Sequence, residues 1–408
     1  MQYNAVLLGL SGRLDQLGNP ISHVPAFSAD LLGVNVRTMQ RAFKTQLKLN
    51  NKQKTLMAQH AGYSRWVWNW ALNLWHRADQ AGLKPSANKL KKFYTLHVKP
   101  QYPWMKTLSS RVYQFAFLHL GEAFSRFFKG LAKRPKFKKK GRHDSFTLDN
   151  CGRVMELNGT RLKLPFIGWV STYEPIPEIQ TKRLTISRVA NSWYISVSYE
   201  FEPDRDVKNR DYLGVDLGVK VLATCSDGTV FPNPRAYKKA HKKLARLQRE
   251  FSRRQMGSKN RQKAQLKLAR AHQRVANIST DAIHKLTSVL CKNHAVICVE
   301  DLNVSGMMKN QKLAAAVADS ALYEIRRQIE YKADWYGSEL VFADRFYPST
   351  KTCSNCGHIQ EMPLKERTFD CEACDRVRDR DLNASLNLKH LAEGYSVIAC
   401  GVGSADTL

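Results

Sequence analysis

Residues Lys351–Leu388 read KTCSNCGHIQEMPLKERTFDCEACDRVRDRDLNASLNL. The stretch holds two Cys-x-x-Cys pairs, Cys353/Cys356 and Cys371/Cys374, in a C-x2-C-x14-C-x2-C pattern. Two knuckles at this spacing build a zinc ribbon, a tetrahedral site of four soft thiolates that suits zinc. Such a site is closed, so its metal is structural and any chemistry must lie elsewhere. Directly after the second knuckle comes a dense charged run, D-R-V-R-D-R-D, and then L-N-A-S-L-N-L. A metal knuckle butted against a cluster of aspartates is the feature to explain.

Upstream, two more acids stand in apolar company. Asp216 interrupts the strand-like run GVDLG, and Glu300 ends another, VICVED. Asp381 opens the helix-like DLNASLNL. A charge within or at the end of a buried strand is costly unless it is paired or binds a metal. Two strands and a helix start, each offering one carboxylate, suit Mg²⁺, which takes carboxylate oxygens together with substrate phosphate. Two such ions about 4 Å apart activate water and stabilise the leaving 3′-oxygen in phosphodiester cleavage. Taken singly, the same three acids read equally well as unrelated caps or surface groups.

The composition narrows the partner. The 408 residues carry 65 Lys+Arg against 35 Asp+Glu, a formal net charge of +30. An excess of this size suits a polyanion, because neutralising phosphates releases counterions. The length accommodates two or three domains, and a 43% hydrophobic content allows a sizeable core. No apolar run approaches the roughly 18 residues that span a bilayer, and the opening MQYNAVLLGLSGRLDQLG lacks the basic start of a signal peptide. Nine cysteines, four of them clustered, point to a reducing cytosol and a metal site. The scattered Cys151, Cys225, Cys291, Cys298 and Cys400 read as small buried hydrophobes. No dinucleotide, P-loop or Ser-His-Asp signature is present, which disfavours a small metabolic enzyme.

Along the chain, residues 1–38 are low in charge and lack periodic patterning, so they read as an extension upstream of Met39. MQRAFKTQLK alternates as a strand. Residues 51–131 read as helices, with Trp66, Trp70 and Leu74 forming one stripe beside Val67, and Phe115, Leu118, Phe124 and Phe127 another. The basic run LAKRPKFKKKGR (131–142) cannot pack in a core and reads as a loop or arm on phosphates, through Lys133, Arg134, Lys136, Lys138, Lys139, Lys140 and Arg142. Strands follow over 143–205. Tyr212–Phe231 reads as a β-hairpin turning at Asp227-Gly228, 236–290 as long basic helices, HAVICVEDLN as a buried strand, 318–337 as one helix and ELVFADRFYPST as a strand.

Taken in order, G-V-D-L-G (214–218), V-E-D-L-N (299–303), the four-cysteine ribbon and D-R-D-L-N-A-S-L-N (379–387) resemble the TnpB (OrfB) family encoded by insertion sequences, relatives of the type V CRISPR effector nucleases. EIRRQIEYKADWYG and YPSTKTCSNCG are also similar, and the resemblance covers roughly residues 39–392. It implies an α/β fold with a β-barrel and a helical lobe. An RNase H-like RuvC nuclease domain, with the zinc ribbon inserted, follows a wedge β-barrel that is itself interrupted by a helical recognition lobe. The implied boundaries are an extension at 1–38, a wedge strand at 39–50, the recognition lobe at 51–135 and the wedge barrel at 136–208. The nuclease occupies 209–348 and 378–393 around the ribbon at 349–377, and 394–408 form a short tail.

The resemblance also implies Mg²⁺-dependent double-strand cleavage beside a short transposon-adjacent motif. A noncoding guide RNA from the element's end supplies the specificity, with one structural Zn²⁺ and two catalytic Mg²⁺, in a prokaryotic cytoplasm, as a monomer with its RNA and away from membranes. Asp216, Glu300 and Asp381 fall on the family's catalytic triad; Asp301 and Asp379 are neighbours. Arg376, Arg378 and Arg380 either contact phosphates or pair with Asp375, Asp379 and nearby acids. A cleavage-inactive RNA-guided repressor and a transposase proper are the competing functions.

Overall fold

The computed structural model describes residues 39–149, 155–177, 183–203, 211–363 and 365–399. The expectations for residues 1–38, Cys151 and Cys400 lie outside them.

Strand β1 (Met39–Lys48) leads directly into helix α1 (Asn51–Gln80). Asn50 sets the junction. Its side chain accepts the Gln53 amide at 2.8 Å, while the Gln53 side chain accepts the Asn50 amide at 3.0 Å, a reciprocal cap of otherwise orphaned donors. Helices α2 (Ala87–Phe93) and α3 (Ser110–Phe128) complete a helical group. The buried stripe of α1 runs through Met57, Ala61, Val67, Trp68, Leu72 and Trp75, with Trp75 stacked on Phe124 of α3 at 3.9 Å. Trp66 and Trp70 therefore flank the core instead of centring it. At about 100° per residue they turn toward Tyr94, Tyr102 and Trp104. On α3, Phe115 and Phe124 are buried as expected, but Leu118 faces solvent.

After the helices come β2 (Ser145–Asp149), β3 (Leu157–Asn158), β4 (Arg161–Leu164), β5 (Gly168–Thr172), β6 (Arg183–Val189) and β7 (Ser192–Phe201). They form a seven-stranded antiparallel sheet ordered β2-β6-β7-β1-β5-β4-β3. Strand β1 lies in its interior, so the helices interrupt the sheet in sequence but not in space. Among the described residues the outer strands β2 and β3 do not pair with each other, so the strand pairing there does not itself close the barrel that the resemblance implies.

A second sheet carries the acids. Strands β8 (Asp211–Leu217), β9 (Val221–Cys225) and β10 (Val230–Pro232) are a meander. The sequence suggests one hairpin with its turn at Asp227-Gly228, but the chain already reverses at Gly218, where a Cβ would meet the Val221 carbonyl at 2.9 Å. Asp227-Gly228 makes the second turn, with Gly228 at φ 86°. Helices α4 (Ala236–Arg253) and α5 (Lys259–Asn293) pack on each other through Leu244, Leu247 and Leu268.

Then follow β11 (His294–Glu300), α6 (Val304–Met307), α7 (Ala314–Ser320), α8 (Leu322–Tyr336) and β12 (Glu339–Ala343). The single helix expected over 318–337 is broken at Ala321, whose φ of 51° lies outside helical space. A short pair, β13 (Thr368–Asp370) and β14 (Val377–Asp379), precedes the last helix, α9 (Arg380–Ala399).

The second sheet is ordered β10-β9-β8-β11-β12, with β8, β11 and β12 mutually parallel. The two-residue alternation of β11 splits its side chains between layers. Ile297 and Val299 face α5 and α8, packing with Leu286, Leu290, Ile325 and Ile329; Val296 and Cys298 face Leu388 and Ala392 of α9.

Candidate active site and metal centre

Strand register brings the first two acids together. In the parallel β8–β11 pair Val215 lies opposite Val299, so Asp216 and Glu300 follow as neighbours at the ends of adjacent strands. The third acid arrives on α9, which crosses β8 at Gly214. A Cβ there would meet the Ser385 carbonyl oxygen at 1.9 Å and the Lys389 nitrogen at 2.4 Å, so only glycine admits the helix backbone this close. Asp379 fixes where α9 begins. Its carboxylate accepts the amides of Asp381 and Leu382 at 3.0 and 3.1 Å, capping the helix and placing Asp381 in the first turn.

The three carboxylates act on one another. Burial, then the charges of Glu300 and Asp381, push the Asp216 carboxyl up to about 8; Arg380 opposes the shift only in part. Such a shift marks a carboxyl whose charged form the surrounding protein disfavours, by burial first and by like charge second. Arg367 and Arg380 lie 3.7 and 3.6 Å from the Asp381 carboxylate. Beside the acids a cleft of about 250 Å³ is lined by Lys220, Thr224, Arg367, Asp379 and Asp381 among others. Asp301 is differently occupied: Arg326 and Arg345 both bind its carboxylate and hold it below the ordinary range.

The ribbon brings its four thiols within 4.8 Å of one another, with Cys353–Cys374 at 3.8 Å and Cys356–Cys371 at 3.6 Å. These separations exceed a disulfide bond of about 2.05 Å and suit four ligands around one ion. Among the described residues these four cysteines are the group whose ligand atoms lie close enough together to share one metal ion. Burial works to raise the Cys353 thiol, but the amides of Cys356 and Asn355 together with the Cys371 and Cys356 thiols pull it down to about 7, while its neighbours Cys356 and Cys371 are pushed up in turn. A thiol already inclined to ionise is a prepared zinc ligand. Cys225, Cys291 and Cys298 are buried in the fold, as their scatter suggests.

The basic candidates divide. Lys133, Arg134, Lys136, Lys139, Lys140 and Arg142 are exposed, although Arg134 pairs with Asp79 at 2.7 Å. Lys138 does pack: its ammonium sits 3.9 Å over the Trp68 ring, and burial lowers its pKa to about 8. The backbone of this run is also stitched to α1, with Trp68 and Asn69 donating to the carbonyls of Lys136 and Lys138. Arg380 turns inward beside Asp381, and Arg378 donates to the Ser354 hydroxyl at 2.7 Å. Arg246, Arg249 and Arg253 of α4, with Arg254 just past its end, border a cleft of about 460 Å³.

Several residues around the site escape a reading of the sequence. Ser349 is buried and its hydroxyl donates to Glu300. Asn383 and Asn387, also buried, bind the backbone before and within the first knuckle. Two asparagines four residues apart on a helix otherwise rich in Leu and Ala were the available signal; for Ser349 there was none.

Comparison with known proteins decides the family. Residues 196–311 match a family described as "Probable transposase", and 323–388 match the Cas12f1-like TNB domain. Across most of its length the chain is 35% identical to the Escherichia coli (strain K12) protein named "Putative RNA-guided DNA endonuclease InsQ", covering 88% of this chain and 94% of the relative. The chain belongs to the TnpB (OrfB) family. A Streptomyces pristinaespiralis relative in the same class is 33% identical, over 90% of this chain and 92% of its own. Residues 39–84 match a family described as a helix-turn-helix domain, yet here they form strand β1 and the single helix α1, continuing into the turn beyond it. The fold is similar to that of Cas12f1 in a complex with sgRNA and target DNA, with a TM-score of 0.51 at 12% identity, over 86% of this chain and 99% of that one. Among the described residues no helix is long and apolar enough to cross a membrane.

Proposed function

We propose that this TnpB-family protein is an RNA-guided DNA endonuclease that hydrolyses phosphodiester bonds at Asp216, Glu300 and Asp381. The observation that carries the reading is the approach of these carboxylates from β8, β11 and α9, with burial and then the charges of Glu300 and Asp381 pushing Asp216 up to about 8. The strand order of the second sheet, an antiparallel meander followed by two parallel strands, supports an RNase H-like RuvC domain. The relatives named as RNA-guided endonucleases support the guided activity.

In this reading Asp216, Glu300 and Asp381 would hold two Mg²⁺ ions, which would supply Lewis acidity toward the phosphate and acidify a water. Glu300 is oriented by Ser349, and Asp381 by the Asp379 cap and the Gly214 crossing. The cleft beside Asp381 admits the scissile backbone, with Arg367 and Lys220 placed to hold phosphate oxygens. The ribbon holds one structural Zn²⁺ through Cys353, Cys356, Cys371 and Cys374 and returns the chain to Asp381.

In this reading 39–50 and 136–208 make up the wedge β-barrel, 51–135 the recognition lobe, 209–348 and 378–393 the nuclease, and 349–377 the ribbon. The guide comes from the element's end, the DNA target carries a short adjacent motif, and one chain works with one RNA in the bacterial cytoplasm.

The test is to express the chain with the DNA flanking its gene, sequence the RNA that co-purifies, and add Mg²⁺ with a plasmid bearing a guide-matched site beside a randomised motif. A discrete RNA, with cleavage that Asp216→Ala abolishes, is the expected result. Target binding without a cut points to a repressor, and no specific RNA points to an unguided transposase.

A further inference from the structure

The two metal-related sites are joined by a chain of hydrogen bonds. Thr352 precedes the first zinc ligand and Ser354 follows it. The Asn383 side chain donates to the Thr352 carbonyl at 2.7 Å and accepts the Ser354 amide at 2.9 Å. One turn further along α9, the Asn387 amide donates to the Thr352 and Ser349 carbonyls at 2.7 and 2.8 Å. Ser349 then donates its hydroxyl to Oε1 of Glu300. Ser349, Asn383 and Asn387 are 3%, 1% and 3% exposed, so water does not compete for these bonds. The helix that makes them is the one whose first turn carries Asp381.

We propose that Ser349 is a positioning residue for the Glu300 carboxylate, held in register by the first zinc knuckle through Asn383 and Asn387. The inference rests on the reading of Glu300 as a catalytic carboxylate. A glutamate at the end of a strand rotates about three side-chain bonds. A buried hydroxyl removes that freedom and commits one carboxylate oxygen when its own residue is held at the carbonyl by Asn387 and the loop just beyond it is gripped by Asn383. Glu300 and Asp381 are then set by the same helix: Asp381 directly, and Glu300 through the loop that α9 grips. Groups that orient a metal's ligands in this way commonly change metal affinity about 10- to 100-fold when removed.

The test uses the full chain with its guide RNA and Mn²⁺ as the probe ion. Free Mn²⁺ is followed by electron paramagnetic resonance, zinc content by a chromogenic chelator after denaturation, and cleavage on a guide-matched plasmid. Ser349→Ala is expected to keep one zinc per chain, guide binding and melting temperature. Its half-saturating Mn²⁺ should rise about tenfold, with a matching loss of cleavage at fixed Mn²⁺. Ser349→Thr, which restores the hydroxyl, should recover most of both. If Ser349→Ala does not fold, Ser349→Cys fills the site with a far weaker donor and carries the same expectation.

Unchanged Mn²⁺ affinity and rate in Ser349→Ala overturns the proposal. So does a joint loss of zinc, melting temperature and Mn²⁺ binding that threonine fails to rescue, since that marks a purely structural residue. Asp216→Ala run alongside separates the levels. If it still cleaves, the catalytic reading falls and this inference with it; if it is inert while Ser349→Ala is normal, only the positioning role fails.

Discussion

Gly214 of β8 lies against the carbonyl of Ser385 on α9, at a spot where a methyl group would stand 1.9 Å from that oxygen. Gly214 is also tied to the meander, donating its amide to the Ser226 hydroxyl at 3.1 Å and accepting the Ser226 amide at 2.9 Å. Neither backbone can yield alone. Gly214→Ala should therefore lift α9 and carry Asp381 away from Asp216. We expect a destabilisation of about 1–3 kcal/mol and a cleavage loss on the order of 100-fold, with guide RNA still bound. Melting curves and single-turnover cleavage of the same preparation check both.

Asp216 takes up a proton on folding across a wide pH range, because its pKa rises from 3.8 to about 8. Without a bound cation, the stability present at low pH is lost as pH rises through about 8. Asp216→Asn, which stays neutral, should match the parent near pH 4, gain on it as pH rises, and level off above about 8. At about 1.4 kcal/mol per unit, reduced by roughly half because the side chain keeps an open edge, the gain is about 2–3 kcal/mol. Denaturant melts of zinc-loaded protein in Mg²⁺-free buffer at pH 5, 7 and 9 measure it. An equal gap at all three values contradicts the assignment.

Replacing Cys356 and Cys374 together by serine should remove the bound zinc. The ribbon has little core beyond Met362, Phe369 and its cysteines, so the metal supplies much of its folding energy. Amide exchange over 351–382 should accelerate while α5 and α8 stay protected. Cys298→Ser should leave zinc content untouched, since that thiol is buried between β11 and α9.

The basic run separates into two kinds of lysine. Charge-neutralising changes at Lys139, Lys140 and Arg142 should weaken nucleic-acid binding and lower its salt slope by about one for each phosphate left without its cation. Lys138→Ala should instead cost about 0.5–2 kcal/mol of stability, because no ammonium then covers the Trp68 ring. Salt-dependent binding and thermal melting on the four variants sort them.

The sequence made the ribbon legible because thiol spacing is a local property with few other uses. It also exposed the acids, since a carboxylate in GVDLG or at the end of VICVE contradicts its surroundings. Their convergence needed the β8–β11 register and the crossing at Gly214, and neither is written in any window of ten residues. The tight return at Gly218 was masked by the stronger turn signal of Asp227-Gly228. The break at Ala321 was hidden because alanine favours helix everywhere except at the positive φ it adopts here. That Lys138 alone of the basic run settles on Trp68 has no signal in the sequence, because any ammonium on a long aliphatic stem can lie on an indole face once the fold brings one near. The Ser349 bond rests on a small hydroxyl with no sequence pattern at all.

The path of the chain through the second sheet also fixes an order of events during synthesis. Asp216 and Glu300 are laid down on β8 and β11, but Asp381 follows only after β12 and the whole ribbon. A nascent polypeptide that has not reached α9 carries two of the three acids and lacks the helix that covers Val296 and Cys298. Domains tend to fold as they emerge, so Asp381 can join Asp216 and Glu300 only after the four-cysteine segment has been made.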